Sequence, residues 1–219
     1  MSTLTRSVLA LLAVGLLAAP LAAAAPPRID GSVMIGETVT HLRVEISRDG
    51  APLAGLKVKV AGRLADEQGG GRYVLLVQEA LAGPGRPLVV TIEQPVAAGP
   101  PIEPVTATIV VAPWIRITEP ADEAHVGAAA PAVPIAWSGG TAPYRLTARP
   151  EAQPGEYAFD ESGITTSRKS IPMASLKKWK RYLVNVGFEP GAFSFAGPVQ
   201  IGSRLVLIER SKPLHLNID

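Results

Sequence analysis

Residues 177–188 read KKWKRYLVNVGF, and the reading of this stretch decides the fold. Its first half, with Lys177, Lys178, Lys180 and Arg181 around Trp179, has the composition of a basic patch. Its second half alternates Tyr182, Val184, Val186 and Phe188 with Leu183, Asn185 and Gly187, the period-2 signature of a strand buried on one face. The same parity would turn Lys180 inward beside Tyr182, which places the lysines in the turn before the strand. A second reading starts a short amphipathic helix at Pro172, with Met173, Leu176, Lys180 and Leu183 on one face. One helical turn there would leave a strand-built domain intact.

Outward from this stretch the alternation recurs. Trp114 to Ile117, then Val133, Ile135 and Trp137, then Tyr144, Leu146 and Ala148 are strand-length apolar patterns separated by turn residues such as Gly139-Gly140. A polar connection from Pro150 to Ser170 carries no strong period, with Tyr157 to Phe159 and Ile164 to Thr166 as short edge strands. Leu205 to Ile208 and the alternating Leu214, Leu216 and Ile218 supply two final strands. The last of these is expected to lay one face on the core and to leave one edge free or paired late.

Leu176 lies six residues before Tyr182, at the head of the alternating strand. This resembles the fibronectin type III pattern, in which a Leu in a turn precedes a Tyr whose hydroxyl bonds back to the backbone. Trp137 and Tyr144 fall where that family has a core Trp on its second strand and a Tyr on its third. The resemblance covers most of 113–219 and implies a buried Trp137 and Tyr182, with the Tyr182 hydroxyl satisfied by the backbone. The segment after Phe188, EPGAFSFAGPVQIGSR, departs from the family's route to its last strand.

The first half has the same texture. Leu42, Val44 and Ile46 alternate with Arg43 and Glu45, Asp49-Gly50 offers a tight reversal, and Leu56, Val58 and Val60 alternate again, which reads as a hairpin. Tyr73 to Val77, Leu88 to Ile92 and Val105 to Val111 follow as strands after the Gly69-Gly70-Gly71 connection. The phrase VEISRDGAPLAGLKVKVAG resembles the opening of bacterial immunoglobulin-like or prealbumin-like modules. The fold class expected is all-β: two tandem immunoglobulin-like or fibronectin III-like β-sandwich domains, 26–112 and 113–219, after a signal peptide at 1–24.

That leader, MSTLTRSVLALLAVGLLAAPLAAA, has one Arg, an apolar core closed by Pro20, and Ala22 and Ala24 at the positions a signal peptidase reads. No later segment is long and apolar enough to span a bilayer. The chain contains no Cys, which excludes disulfides, a Cys-linked lipid anchor, thiolate zinc sites and a thiol nucleophile. The formal net charge is +2, and this gives no case for a nucleic-acid partner.

Candidate chemistry is sparse. Glu119, Asp122, Glu123 and His125 share one loop but lack the alternating D-x-D-x-D-G spacing that wraps a calcium ion. His41, His125 and His215 are far apart in sequence, no nucleophile motif is present, and Asp160-Glu161-Ser162-Gly163 is not a G-x-S-x-G elbow. The reading is therefore of no enzyme, no metal and no cofactor, with an exported, periplasmic or extracellular destination. The expected role is a cell-envelope binding or assembly module acting through protein contacts. Its candidate partner surface comprises Lys177, Lys178, Arg181 and the Leu216 edge. An alternative is a carbohydrate-binding accessory protein, for which Trp114, Trp179 and Tyr157 are the aromatics able to stack on sugar rings. A hydrolase assembled only in three dimensions is the third class.

Overall fold

The computed structural model describes residues 25–95, 102–176 and 180–219. The expected signal at 1–24 lies outside the described residues, as do Lys177, Lys178 and Trp179. The first nine strands are β1 (Arg28–Gly36), β2 (Val39–Arg48), β3 (Ala51–Pro52), β4 (Lys57–Val60), β5 (Arg63–Leu64), β6 (Asp66–Gly69), β7 (Arg72–Val77), β8 (Pro87–Glu93) and β9 (Val105–Val110). After the connection at 111–115 come β10 (Arg116–Glu119), β11 (Ala124–Val126), β12 (Ala132–Ser138), β13 (Tyr144–Pro150), β14 (Phe159–Ile164) and β15 (Arg168–Pro172). A single helical turn α1 (Met173–Leu176) leads to β16 (Arg181–Ala192), β17 (Ser194–Ala196), β18 (Arg204–Arg210) and β19 (Leu214–Ile218).

The fold is all-β, as the alternation requires. Leu42, Val44 and Ile46 of β2 are buried while Arg43 and Glu45 are exposed. Leu88, Val90 and Ile92 of β8 and Leu214, Leu216 and Ile218 of β19 repeat the pattern. These inward faces form two buried clusters. One is gathered on Ile29, Leu42, Val58, Tyr73 and Leu88, the other on Ile135, Trp137, Leu146, Tyr182 and Leu216. Each fully buried aliphatic side chain contributes about 1.5–3 kcal/mol relative to exposure.

The second cluster lies between the sheet β10-β12-β15 and the strands β14-β13-β16-β19-β11. Here the resemblance holds in detail. Tyr182 is fully buried, and its hydroxyl donates to the Leu176 carbonyl at 2.8 Å. Trp137 is buried with its ring edge-on to Tyr144 at 5.4 Å, and Tyr144 in turn meets Phe188 at 6.2 Å, offset geometries that aromatic quadrupoles favour. The Tyr144 hydroxyl donates to the Gly139 carbonyl at 3.1 Å. Gly139 has a positive φ of 77°, and any Cβ there would strike the Trp114 backbone, so this turn requires glycine. The alternative helical reading holds only for its first turn, α1, which buries Met173 and Leu176, while Leu183 lies on β16. Lys180 is exposed ahead of β16 rather than turned inward.

β16 is the strand that joins the two clusters. Its residues 182–188 pair with β13 on one edge. On the other edge residues 181–184 pair with β19, and residues 187–192 pair with β18. Beyond Phe188 the chain therefore leaves the second cluster. Phe193 enters the first, β17 pairs with β9, and β18 returns in parallel register with β1, from Asp30 opposite Arg204 to Ile35 opposite Glu209. Leu205 and Leu207 are fully buried in the first cluster. The expected second domain, 113–219, thus contributes side chains and two strands to the core built mainly by residues 29–111. The departure at EPGAFSFAGPVQIGSR is this excursion.

Three expectations change. The Asp49-Gly50 reversal forms, with positive φ at both residues, but it joins β2 only to the two-residue β3. Leu56 to Val60 crosses to the other sheet and pairs with β8 and β5. β2 already has β1 on one edge and β7 on the other, so no edge is left for β4. Second, the Pro150 to Ser170 connection contains β14 over Phe159–Ile164, and a further strand, β15, follows at Arg168–Pro172. β15 buries only Ile171, too little for an alternation signal. Third, the C-terminal strand has no free edge: β19 is flanked by β16 and by β11, with Ala124 to Val126 opposite Leu216 to Ile218.

Candidate functional site

The proposed partner residues meet different fates. Leu216 is fully buried between paired neighbours, so it packs a core and offers no docking edge. Arg181 opens β16 and is held by Glu123 at 2.6 Å and Glu151 at 3.0 Å. It fastens the turn before β11 and the turn after β13 to the start of β16. Lys177 and Lys178 lie outside the described residues.

The acidic loop is likewise engaged in fastening. Glu119 pairs with Arg168 at 2.9 Å. Asp122 accepts the His215 backbone N–H at 2.7 Å and sits 3.1 Å from His215 Nδ1. The backbone N–H of His215, more than the ring, holds the Asp122 carboxyl below its ordinary range. His125 Nδ1 lies 3.0 Å from Asp219. These contacts tie β11 to β19 and cover the edge that sequence reading left open. Among the described residues no cluster of three or more His, Cys, Asp or Glu side chains is placed to hold a metal ion.

Of the aromatic candidates, Trp179 lies outside the described residues, and Trp114 and Tyr157 have different surroundings. Trp114 is partly buried against the first cluster. Tyr157 is half exposed, with the Arg145 guanidinium 5.8 Å from its ring centroid. Arg145 itself is bound by Asp160, whose carboxyl it holds below the usual range through that hydrogen bond.

A concave site not legible in the sequence lies where the long sheet turns from one cluster to the other. It is a cleft of about 260 Å³ on the outward face of β13, β16 and β18. Ile208 gives it an outward apolar side chain, Tyr144 and Phe188 line it while their rings pack in the second cluster, and Thr147, Ser162, Asn185 and Arg210 give it polar groups. None of these four polar side chains has a hydrogen-bond or ion-pair partner among the described residues. The Arg145 and Glu189 charges at its rim are neutralised by Asp160 and by Arg204 at 2.6 Å, so Arg210 is the unbalanced charge. Gly187 lines the cleft where a Cβ would approach the Glu209 carbonyl at 3.0 Å and Arg210 Cγ at 3.4 Å. The sequence signal was weak: residues of four strands spread along the chain, each ordinary by itself.

No family model matches the chain, and no curated protein matches it. Among solved structures it is similar to fibronectin(III)-like modules of Clostridium thermocellum CbhA, at 11% identity over 91% of this chain and 90% of that one, with a TM-score of 0.28. It is similar to a two-domain fibronectin type III segment of chicken tenascin, at 14% identity over 86% and 96%, with a TM-score of 0.26. A third is a bacterial ice-binding adhesin studied for host cell surface retention, at 12% identity over 90% of this chain and 66% of that one, with a TM-score of 0.28. Superposition at these scores carries no argument of its own, so the tyrosine corner, the strand pairing and the two buried cores carry the β-sandwich assignment.

Proposed function

We propose that the chain is an exported, non-catalytic module of the cell envelope that binds a protein partner in the cleft at the bend of its long sheet. The observation that supports this is the convergence of Arg210, Asn185, Thr147 and Ser162, all without protein partners among the described residues, beside the apolar Ile208. Concave sites with few polar groups on apolar surface are where ligands are held in orientation. The unbalanced guanidinium fits a partner that presents a carboxylate. The shared sheet gives the cleft a rigid base, which lowers the ordering cost of binding. Lys177 and Lys178, which precede β16 in the sequence, are proposed as a second contact. Export rests on the 1–24 leader, and a mature N-terminus beginning at Ala25 is the expected result of terminal sequencing.

Cross-linking in envelope extract compares the wild type with Arg210→Glu and with Lys177→Glu/Lys178→Glu, each checked for fold by circular dichroism. A defined partner lost on charge reversal at Arg210 supports the cleft; identical cross-links in all three proteins contradict it. One feature favours glycan as a second reading, the exposed Tyr157 ring beside Arg145 at the rim. Retention on a glycan array abolished by Tyr157→Ala would select that reading.

A further inference from the structure

Glu209 is the next inward position on β18 after Leu205 and Leu207, yet it is 1% exposed. It stands opposite Ile35 of β1 and Phe188 of β16, where the inward face of β18 passes from the first cluster toward the second. Ser211, two residues on, exchanges bonds with the Val186 backbone at 2.8 and 3.1 Å and belongs to the second side. One Glu209 oxygen, Oε1, accepts the Ala112 N–H at 2.8 Å. The other, Oε2, is fully enclosed and has no hydrogen-bond partner among the described residues. Ala112 is the second residue of the connection between β9 and β10. Its neighbour Pro113 accepts the Gly140 N–H at 2.8 Å, so Glu209 and the Gly139-Gly140 turn hold the connection from both sides.

Among the described residues no cation is paired with this carboxyl. Of the charged residues on the elements packed around it, Glu37 after β1 is paired with Arg116 at 2.6 Å and Glu189 on β16 with Arg204 at 2.6 Å. Arg210 beside it on β18 lines the outer cleft, on the opposite face of the strand. The connection contributes Ala112, Pro113, Trp114 and Ile115, none of them charged. An enclosed carboxylate without a counter-charge is costly, whereas the neutral acid leaves one weakly demanding group unpaired.

We propose that Glu209 is a pH-sensitive fastener of the seam between the two sandwiches. As a neutral acid it holds Ala112 in a dry site. On losing its proton it is drawn toward water, releases Ala112 and loosens the seam. Burial pushes its pKa up to about 7, and the Ala112 amide only partly offsets this. The unfolded chain ionises near the ordinary carboxylate value, so between that value and neutrality the folded state carries the extra proton. The fastening is complete below the unfolded pKa and is lost as pH rises through the folded one. The folding equilibrium weakens by roughly a hundredfold or more across that window.

The test is an NMR titration of the full mature chain from about pH 5 to about pH 9, with Glu209→Gln beside the wild type. The expected result is an inflection near neutrality in the Ala112 amide shift that is absent in the variant. Above the inflection, amide exchange at Ala112 and Gly140 should accelerate more in the wild type than in the variant. Should the variant fail to fold, the carboxyl carbon shift of Glu209 in the wild type decides alone. A midpoint in the ordinary carboxylate range, a flat profile, or an inflection retained in a folded Glu209→Gln would overturn the proposal.

Discussion

The two buried clusters solve the same problem from different stretches of chain. The second closes on residues between Ile115 and Phe188 plus the terminal Leu214, Leu216 and Ile218. Its buried tyrosine reaches back only six residues, to Leu176. The first has its own buried tyrosine, Tyr73, whose hydroxyl donates to Leu53 at 2.9 Å and accepts from the Leu56 N–H at 3.1 Å, across a loop of about 20 residues. Even so, it is not completed by its own half of the chain, since Phe193, Leu205 and Leu207 come from the far end. A core and a sequence segment are therefore different units here. The excursion between β16 and β18 is what makes them differ, and it places two cores on one continuous sheet.

The largest effect expected is on the borrowed residues. Leu207→Ala should destabilise by about 2–5 kcal/mol, the range for a buried Leu truncated to leave a cavity, although residue 207 lies nearly 100 positions beyond the segment whose core it fills. A cost below about 1 kcal/mol in chemical denaturation would break the comparison.

Next comes the seam. Because burial raises the Glu209 pKa to about 7, the wild type should lose on the order of 3 kcal/mol relative to Glu209→Gln between the ordinary carboxylate pKa and pH above neutrality. Denaturation midpoints of the two proteins should diverge as pH rises and converge in acid. Parallel curves would detach the seam from Glu209.

The tyrosines sharpen the comparison at smaller scale. Tyr182→Phe should cost about 1 kcal/mol or more, since its removal leaves the Leu176 carbonyl without that donor. Tyr73→Phe removes both a donor to Leu53 and an acceptor for Leu56, so it too should cost about 1 kcal/mol or more. An unchanged denaturation midpoint for either variant would remove that tyrosine's hydroxyl from the account of its core.

The smallest effect expected is none. Glu119, Asp122 and Glu123 already fasten Arg168, His215 and Arg181. Thermal midpoints in EDTA and in millimolar calcium should coincide, because a ligand of the folded state alone would raise them. A calcium-dependent rise would turn the fastening at β11 into a site.

What could be read from sequence was what is local. The period-2 strands, the Asp49-Gly50 and Gly139-Gly140 turns, and the spacing from Leu176 to Tyr182 all appear in place, because turn chemistry and alternation act over a few residues. β1 was missed because its inward parity is interrupted at Gly31, where a Cβ would clash with the Arg43 carbonyl of β2. The excursion showed in the sequence only as a departure from the fibronectin III route, because Phe193, Phe195 and Val199 stand among Gly191, Gly197 and Pro198 and give no clear alternation. The strand β17 is three residues long and pairs with Thr106 to Thr108, more than 80 positions earlier. The order of Leu205, Leu207 and Glu209 did carry a signal: an acid on an inward parity marks a buried carboxyl. Leu216 had the reverse ambiguity, since packing and docking demand the same alternation, and only the pairing with β11 separates them.

The central claim is that residues 189–210 complete the first sandwich, and native-state hydrogen exchange on Leu207→Ala tests it most directly. Leu207→Ala should lower protection of the β1, β2 and β8 amides, such as Val33, Val44 and Val90, while β12 and β19 keep theirs. Leu216→Ala should do the opposite. Loss of protection in Leu207→Ala confined to β12, β13 and β19 would contradict the account.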